Sequence, residues 1–457
     1  MGKKFDFEYI VIGSGPAGSA AALKLAEAKK SVGLVESRFW GGSNLNTRDI
    51  PYAVALNFSH AYSRIQSYPE LKNQDFHFNL PTVPACQLKA IIESGGNNKK
   101  IYEDAGITCI KGFANFLDPH TIAVAEKRFT AGNFILATGS HLKTTGIAGT
   151  NFVKHLTPET AIKISRAPKV VAIVGGGSTG VEIASYYAEL GIKVIILESS
   201  SRLLPHEDRE VGDLLAEYFS QRLGINILLN SKVVALEEDE FSKRVIFRHD
   251  NTEKMVRVDC IVLATGSEPT LDYGLENVKV KYKNSGITTN KYFETSAKHI
   301  YAIGDCTDNE SSTDRAEQAG LTLASNLINK VKNPVNYKGS VRTVNTFPQI
   351  SVVGLSEDDL LRRDRKYQKS LVRASEAHIS KIDNFDYGFV KLLADRSNHV
   401  LGACIVAPHA ELMASEISLA IRHNLTVIEL ASTPHPVNNY NHLIKLAAKK
   451  LLTKKSK

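Results

Sequence analysis

The chain has 457 residues, about three domains on a prior of about 150 residues each, with 43% hydrophobic and 23% charged residues, a globular balance. Lys plus Arg exceeds Asp plus Glu by 56 − 48 = 8, too mild an excess to support a nucleic-acid or membrane-surface function. No apolar run approaches the roughly 20 residues of a membrane helix, so no integral membrane segment is expected.

The N-terminus enters the apolar run Tyr9-Ile10-Val11-Ile12 too early for a cleavable signal peptide. Asp6 stands where a myristoylation signal requires Ser or Thr. Cys86, Cys109, Cys260, Cys306 and Cys404 are scattered, with no C-x-x-C pair. That pattern points to isolated packed thiols in a cytoplasmic protein and excludes a metal site of cysteine pairs.

The Tyr9–Ile12 run predicts a strand. Gly13-Ser14-Gly15-Pro16-Ala17-Gly18 follows, then a helical segment to about Lys30 and a second strand ending at Glu36. In such a unit the first glycine makes the tight turn, the second admits a pyrophosphate and the third lets helix and strand pack. The pyrophosphate lies at the helix N-terminus, and the acid, here 18 residues past the last glycine, takes a ribose diol. Gly41 to Ala53 come next and read GGSNLNTRDIPYA; Phe134 to Ser140 read FILATGS, with Thr138 and Gly139 at the turn.

The unit then recurs. VVAIV precedes Gly175, Gly177 and Gly180, a helix runs through Leu190, and KVIIL leads to Glu198, again 18 residues on. IVLATGS closes it and contains Gly266. Two dinucleotides on one chain imply electron transfer between them, most often between a flavin and a nicotinamide. Further on lie TSAKHIYAIGDCTD (Thr295 to Asp308), VNTFPQISVVGL (Val344 to Leu355), GFVKLLADRSNHVLGACIVAPH (Gly388 to His409) and His435-Pro436. The closing Lys445 to Lys457 segment, ending KKLLTKKSK, reads as a solvated terminus.

Together these motifs resemble the class I pyridine nucleotide-disulfide oxidoreductases over nearly the whole chain. The resemblance implies an α/β fold with two Rossmann-like dinucleotide-binding domains, for FAD and NAD(P), plus a C-terminal α+β dimerisation domain that makes a homodimer. The expected boundaries are a flavin domain at 1–147 that resumes at 268–337, a nicotinamide domain at 148–267 and an interface domain at 338–457. By resemblance, FAD is bound by Gly13, Gly15, Gly18, Glu36, Gly41, Gly42, Ser43, Thr138, Gly139, Gly304 and Asp305. The nicotinamide cofactor falls to Gly175, Gly177, Gly180, Glu198 and Gly266. Glu182 matches a glutamate near the flavin and nicotinamide.

The departures cluster at the chemistry. A typical member reads GGTCxNxGCxPSK, and Gly42, Asn46 and Pro51 keep that register without a gap. Asn44 then replaces the cysteine that exchanges with substrate, Asp49 the one facing the flavin, and Ala53 the lysine that pairs with Glu182. For Glu182 three outcomes follow: a protonated carboxyl, pairing with Arg48, or entry of water. Tyr440 stands where a glutamate orients His435. His435 is expected at the partner subunit's flavin, either as a proton donor or as a packing residue in a cis His-Pro turn. Cys306, a lone thiol after Gly304-Asp305, is expected to be packed.

Three functions remain open. The leading one takes hydride from NAD(P)H through flavin to a small-molecule acceptor other than a disulfide: a quinone, another pyridine nucleotide, a dye or oxygen. The second is a conventional disulfide reductase, and the third a non-catalytic flavin-binding sensor or interaction protein. Glu198 would repel a 2′-phosphate, with Arg202 able to swing back and offset part of the repulsion; NAD(H) is therefore expected over NADP(H).

Overall fold

A computed structural model describes residues 5–68, 78–143, 146–307 and 312–453. It forms two compact units: Met1–Val54, Pro84–Lys143 and Ser267–Tyr337 in the first; Ala55–Val83, Thr144–Gly266 and Lys338–Lys457 in the second. Thus the first is assembled from segments distant in sequence.

In the first unit the strand order is Thr108–Lys111, Val32–Glu36, Phe7–Ile12, Lys127–Leu136, Thr121–Val124, Ala114–Asp118, and Ile300–Ala302 also pairs with Lys127–Leu136. Phe7–Ile12 runs parallel to both its neighbours, with Tyr9 opposite Val32 and Ile10 opposite Phe134. Such strands need both faces covered, hence their continuous apolar runs. One face packs Ala21, Leu25 and Leu323 from helices Pro16–Glu27 and Thr313–Asn329. Gly320 lets those helices touch, because a Cβ there would lie 2.2 Å from the Ala17 carbonyl oxygen. The other face packs Phe116, Phe134 and Tyr273, with the two phenylalanine rings edge to face at 4.9 Å.

The second unit holds a parallel sheet ordered Asn226–Leu228, Lys193–Leu197, Val170–Val174, Cys260–Leu263, which helix Ser178–Glu189 follows and covers. An antiparallel sheet of Lys232–Glu238, Lys243–His249 and Thr252–Val258 extends its core. Val341–Val344, Gln349–Gly354, Val400–Ala407, Phe389–Ala394 and Gln368–Arg373 form a five-stranded antiparallel sheet. Helices Ala410–Arg422 and His442–Thr453 bury Met413, Ile417, Leu443 and Ala447 against it. The closing basic segment was expected as a solvated terminus, but through Thr453 it is part of helix His442–Thr453, with Ala447, Ala448 and Leu451 buried because its apolar residues share one face; residues 454–457 lie outside the described residues. No helix among the described residues is long and apolar enough to cross a membrane.

Candidate functional site

The two glycine turns are built alike. Gly13 has φ +102° and a Cβ on it would lie 2.2 Å from the Ala137 oxygen; Gly175 has φ +111° and would meet Ala264 at 2.3 Å. The alanine of each ATGS segment thus presses its carbonyl on the first glycine of its unit. Both acids serve the same turn. Glu36 Oε2 accepts from the Ser14 N–H at 3.0 Å and Oε1 from the Arg38 N–H at 2.7 Å. Glu198 Oε2 accepts from the Gly176 N–H and Oε1 from the Ser200 N–H, each at 2.6 Å. In each unit the carboxylate bonds the middle residue of the glycine turn and the residue two positions beyond itself.

The first unit contains a cavity of about 650 Å³ lined by Gly13, Gly15, Glu36, Gly42, Ser43, Thr138, Gly139, Gly304 and Asp305. Four helix starts reach it: Pro16 and Ala17, Gly42 and Ser43, Arg48 and Asp49, and Ser312 and Thr313 all line it. Free N–H groups at such starts favour an anion. A Cβ on Gly15 would meet no protein atom within 4 Å, so the turn leaves space for a ligand where the helix begins. Gly42 closes on that turn, since a Cβ on it would lie 2.5 Å from the Gly15 Cα, and Gly41 donates its N–H to Ser14 Oγ at 3.1 Å. Cavity, acid and helix starts suit a dinucleotide such as FAD.

Asn44 and Asp49 line the same cavity. Asn44 Nδ2 donates to Asp49 Oδ2 and, at 2.9 Å, to Thr313 Oγ1. Thr313 Oγ1 in turn donates to Asp49 Oδ2 at 2.8 Å, closing a triangle. Burial raises the Asp49 carboxyl and nearby Asp305 adds to this, against the Thr313 hydrogen bond and the Arg48 charge. This polar triangle can hold a proton beside a cofactor. Cys306 is buried with Sγ against the Ile303 carbonyl at 3.3 Å, and burial pushes its thiol up to about 11. It is packed and inert.

In the second unit three expectations change. Glu182 Oε1 accepts the Asn345 N–H at 2.7 Å and Asn345 Nδ2 at 3.2 Å, a partner outside the three outcomes foreseen, because the loop between strands Val341–Val344 and Gln349–Gly354 supplies the donors. Tyr440 does not serve His435; it is packed in the core, where burial and the facing Asp383 carboxylate raise its phenol. His435 takes Glu416 instead, with Nε2 2.8 Å from Oε1 and Nδ1 2.9 Å from the Thr433 carbonyl. Its side chain is 3% exposed within this chain. Among the described residues the cis peptide is Phe347–Pro348, not His435–Pro436; the histidine reaches both its acceptors from a trans bond.

Arg202 is not turned back toward Glu198: its guanidinium donates to the Pro205 and Glu207 carbonyls at 2.9 and 3.2 Å. Gly177 leaves the second turn open as Gly15 does the first, Gly180 packs 2.0 Å (as a built Cβ) from the Gly175 oxygen, and Gly266 has φ +91°. Sequence reasoning missed Thr313, Asn345 and Glu416. Thr313 and Glu416 belong to none of the motifs, and Asn345 lies within VNTFPQISVVGL without anything in that run marking it as a partner of Glu182; only folding brings each to its partner. Among the described residues no cluster of His, Cys, Asp or Glu suits a metal ion.

Residues 7–320 match the family described as pyridine nucleotide-disulphide oxidoreductase, and residues 340–447 its dimerisation domain. The chain is 29% identical to the dihydrolipoyl dehydrogenase of Mycoplasma pneumoniae, over 98% of this chain and 99% of that protein. It is 26% identical to the mercuric reductase of Bacillus cereus, over 97% of this chain and 71% of that protein. Its fold is similar to that of the HOCl-induced flavoprotein disulfide reductase RclA of Escherichia coli, with TM-score 0.86 and 22% identity over 97% of this chain and 99% of that one.

Proposed function

This chain belongs to the pyridine nucleotide-disulphide oxidoreductases, FAD-dependent enzymes that use pyridine nucleotides, and we propose that it carries electrons from NADH through FAD to an acceptor other than a disulfide. The observation that carries the reading is the Asn44–Asp49–Thr313 triangle at the wall of the candidate flavin cavity. In the register of Gly42, Asn46 and Pro51 these two positions belong to the thiols, and amide and carboxylate oxygens cannot perform thiolate exchange.

When bound, FAD supplies the two-electron chemistry. The chain's own residues bind and orient: Gly13, Gly15, Gly18, Glu36, Gly41, Gly42, Ser43, Thr138, Gly139, Gly304 and Asp305 hold the flavin nucleotide. Gly175, Gly177, Gly180, Glu198 and Gly266 hold the nicotinamide nucleotide, and Glu182 orients it. Asp49, hydrogen-bonded at the cavity wall, moves a proton at its Oδ2, and Asn44 fixes that carboxyl in place. Domains run 1–147 with 268–337 for flavin, 148–267 for nicotinamide and 338–457 for assembly into a homodimer. Quinones, pyridine nucleotides, dyes and oxygen suit such a site, since each accepts electrons from a reduced flavin without a sulfur relay.

The names of the relatives favour a disulfide reductase as the second reading. Anaerobic mixing of the purified flavoprotein with NADH separates the two. The first reading expects fast bleaching of the flavin that a quinone reverses and lipoamide or oxidised glutathione does not. Formation of thiol product from either disulfide overturns it, and a flavin that NADH fails to bleach overturns both in favour of a binding protein.

A further inference from the structure

His60 lies on helix Asp49–Ser67 with both ring nitrogens facing acceptors. Nδ1 is 2.7 Å from Glu189 Oε2, and Nε2 is 3.1 Å from the Asn345 carbonyl oxygen. A neutral imidazole has one donor and one acceptor nitrogen, so a neutral ring would turn a lone pair on one of these oxygens. The imidazolium donates to both. Glu189 is buried and also accepts from Ser59 Oγ at 2.6 Å and Ser185 Oγ at 2.8 Å.

Asn345 connects this pair to the candidate site. Its carbonyl meets His60, while its N–H and Nδ2 donate to Glu182 Oε1. Glu182 and Glu189 are seven residues apart on helix Ser178–Glu189, two turns along one face. His60 therefore stands in the field of two carboxylates. Burial alone would lower its titration, but Glu189, the Asn345 carbonyl and Glu182 together raise it. The Phe347 ring lies 5.9 Å away on the loop side. Tyr218, on helix Arg209–Arg222, also feels the Glu189 charge, and burial holds its phenol neutral.

We infer that His60 is a positioning residue for hydride transfer: its imidazolium supplies the counter-charge for Glu182 and fixes Asn345 against that carboxylate. The resemblance pairs position 53 with Glu182, whereas the structure pairs His60 with Glu189, seven residues further along each helix. The inference deepens the proposed function and rests on its assignment of Glu182 to the nicotinamide.

The test uses the FAD-loaded full chain. Nitrogen-15 NMR at pH 7 is expected to show a histidine with both ring nitrogens protonated, absent from His60→Gln. Anaerobic NADH bleaching should slow by roughly tenfold to a hundredfold in His60→Gln, and in the wild type as pH rises past the His60 titration. His60→Lys should keep its rate at that higher pH. Glu189→Gln, which leaves the ring in place, should shift the wild-type pH break downward. A neutral His60 at pH 7, or a His60→Gln variant with the wild-type rate and pH profile, overturns the inference. Wild-type flavin that NADH never bleaches overturns the functional reading instead, and the NMR result still decides the pairing.

Discussion

His435 Nε2 and Glu416 Oε1 lie 2.8 Å apart although 19 residues separate them in sequence. The carboxylate comes from helix Ala410–Arg422, and Asn441 Nδ2 holds its other oxygen at 3.3 Å. A histidine–carboxylate pair is therefore present, but built from a different residue than the one Tyr440 displaced. Glu416→Ala leaves a buried imidazole nitrogen without its acceptor, and such a loss costs about 1–3 kcal/mol. Glu416→Gln retains an acceptor oxygen and should lose less. Urea unfolding of the two variants checks this: equal stability of Glu416→Ala and wild type would mean that the pair contributes nothing.

Desolvation against the cavity wall raises the Asp49 carboxyl above its ordinary value, although the residue keeps solvent contact, which screens the effect and keeps it small. A group raised in the folded state binds its proton more tightly there. Ionising it thus opposes folding, and the cost is complete once the pH passes the folded value. Asp49→Asn, which keeps an acceptor for Asn44 and Thr313, should unfold at a higher temperature than wild type at neutral pH. Below the carboxylate range the two should converge. A Tm difference that does not change with pH would refute the titration and leave only a packing effect.

Asp49→Cys alone should not create disulfide reductase activity, because Asn44 occupies the position of the exchange thiol. Assay with lipoamide and oxidised glutathione checks the register: appreciable turnover by the single variant would show that positions 44 and 49 are misassigned.

The dinucleotide turns were legible because their requirements are local. A left-handed Gly13, a carbonyl pressed on it from Ala137, and an acid 18 residues past Gly18 all recur as Gly175, Ala264 and Glu198. The departure expected at Asn44 and Asp49 was read from the same kind of local signal, the glycine and proline that set the register around them. What replaced the lost groups was not. Thr313, Glu416 and Asn345 act through contacts 264, 19 and 163 residues distant, and no periodicity or spacing encodes such a meeting. Lys391 is the plainest case. It sits in the apolar strand Phe389–Ala394, where sequence gives no reason to single out a lysine, yet its side chain is fully buried.

Lys391 Nζ meets Asp208 at 2.8 Å, Glu210 at 3.0 Å and Glu357 at 3.1 Å. Lys391→Met removes the cation and leaves Asp208 and Glu357 buried together, a loss of about 3–5 kcal/mol for a broken buried pair. Burial would raise Glu357, but hydrogen bonds from Lys369, Tyr367 and Lys391 outweigh it and hold the carboxyl at about 2 against an ordinary 4.5. Its stabilisation is therefore complete above the unfolded value and disappears as pH falls toward the folded one. Glu357→Gln should flatten the acid limb of the stability curve below 4.5. An unchanged acid limb would exclude Glu357 as its source.

Glu198 governs the last prediction. Its oxygens are fixed by the Gly176 and Ser200 N–H groups, so the carboxylate cannot swing away from a 2′-phosphate. Arg202 donates into the loop at Pro205 and Glu207 and leaves the repulsion without a cation from that side chain. Two unit charges 4 Å apart interact by about 4 kcal/mol at an effective dielectric of 20. Even a fraction of that discriminates strongly, since about 1.4 kcal/mol is tenfold. Glu198→Gln should therefore move the ratio of kcat/KM for NADPH over NADH upward by at least roughly tenfold, mostly through KM, while Arg202→Ala should change it little. Equal preference for the two cofactors in the wild type would show that Glu198 does not select, and a large effect of Arg202→Ala would show that the guanidinium leaves its loop when the cofactor binds.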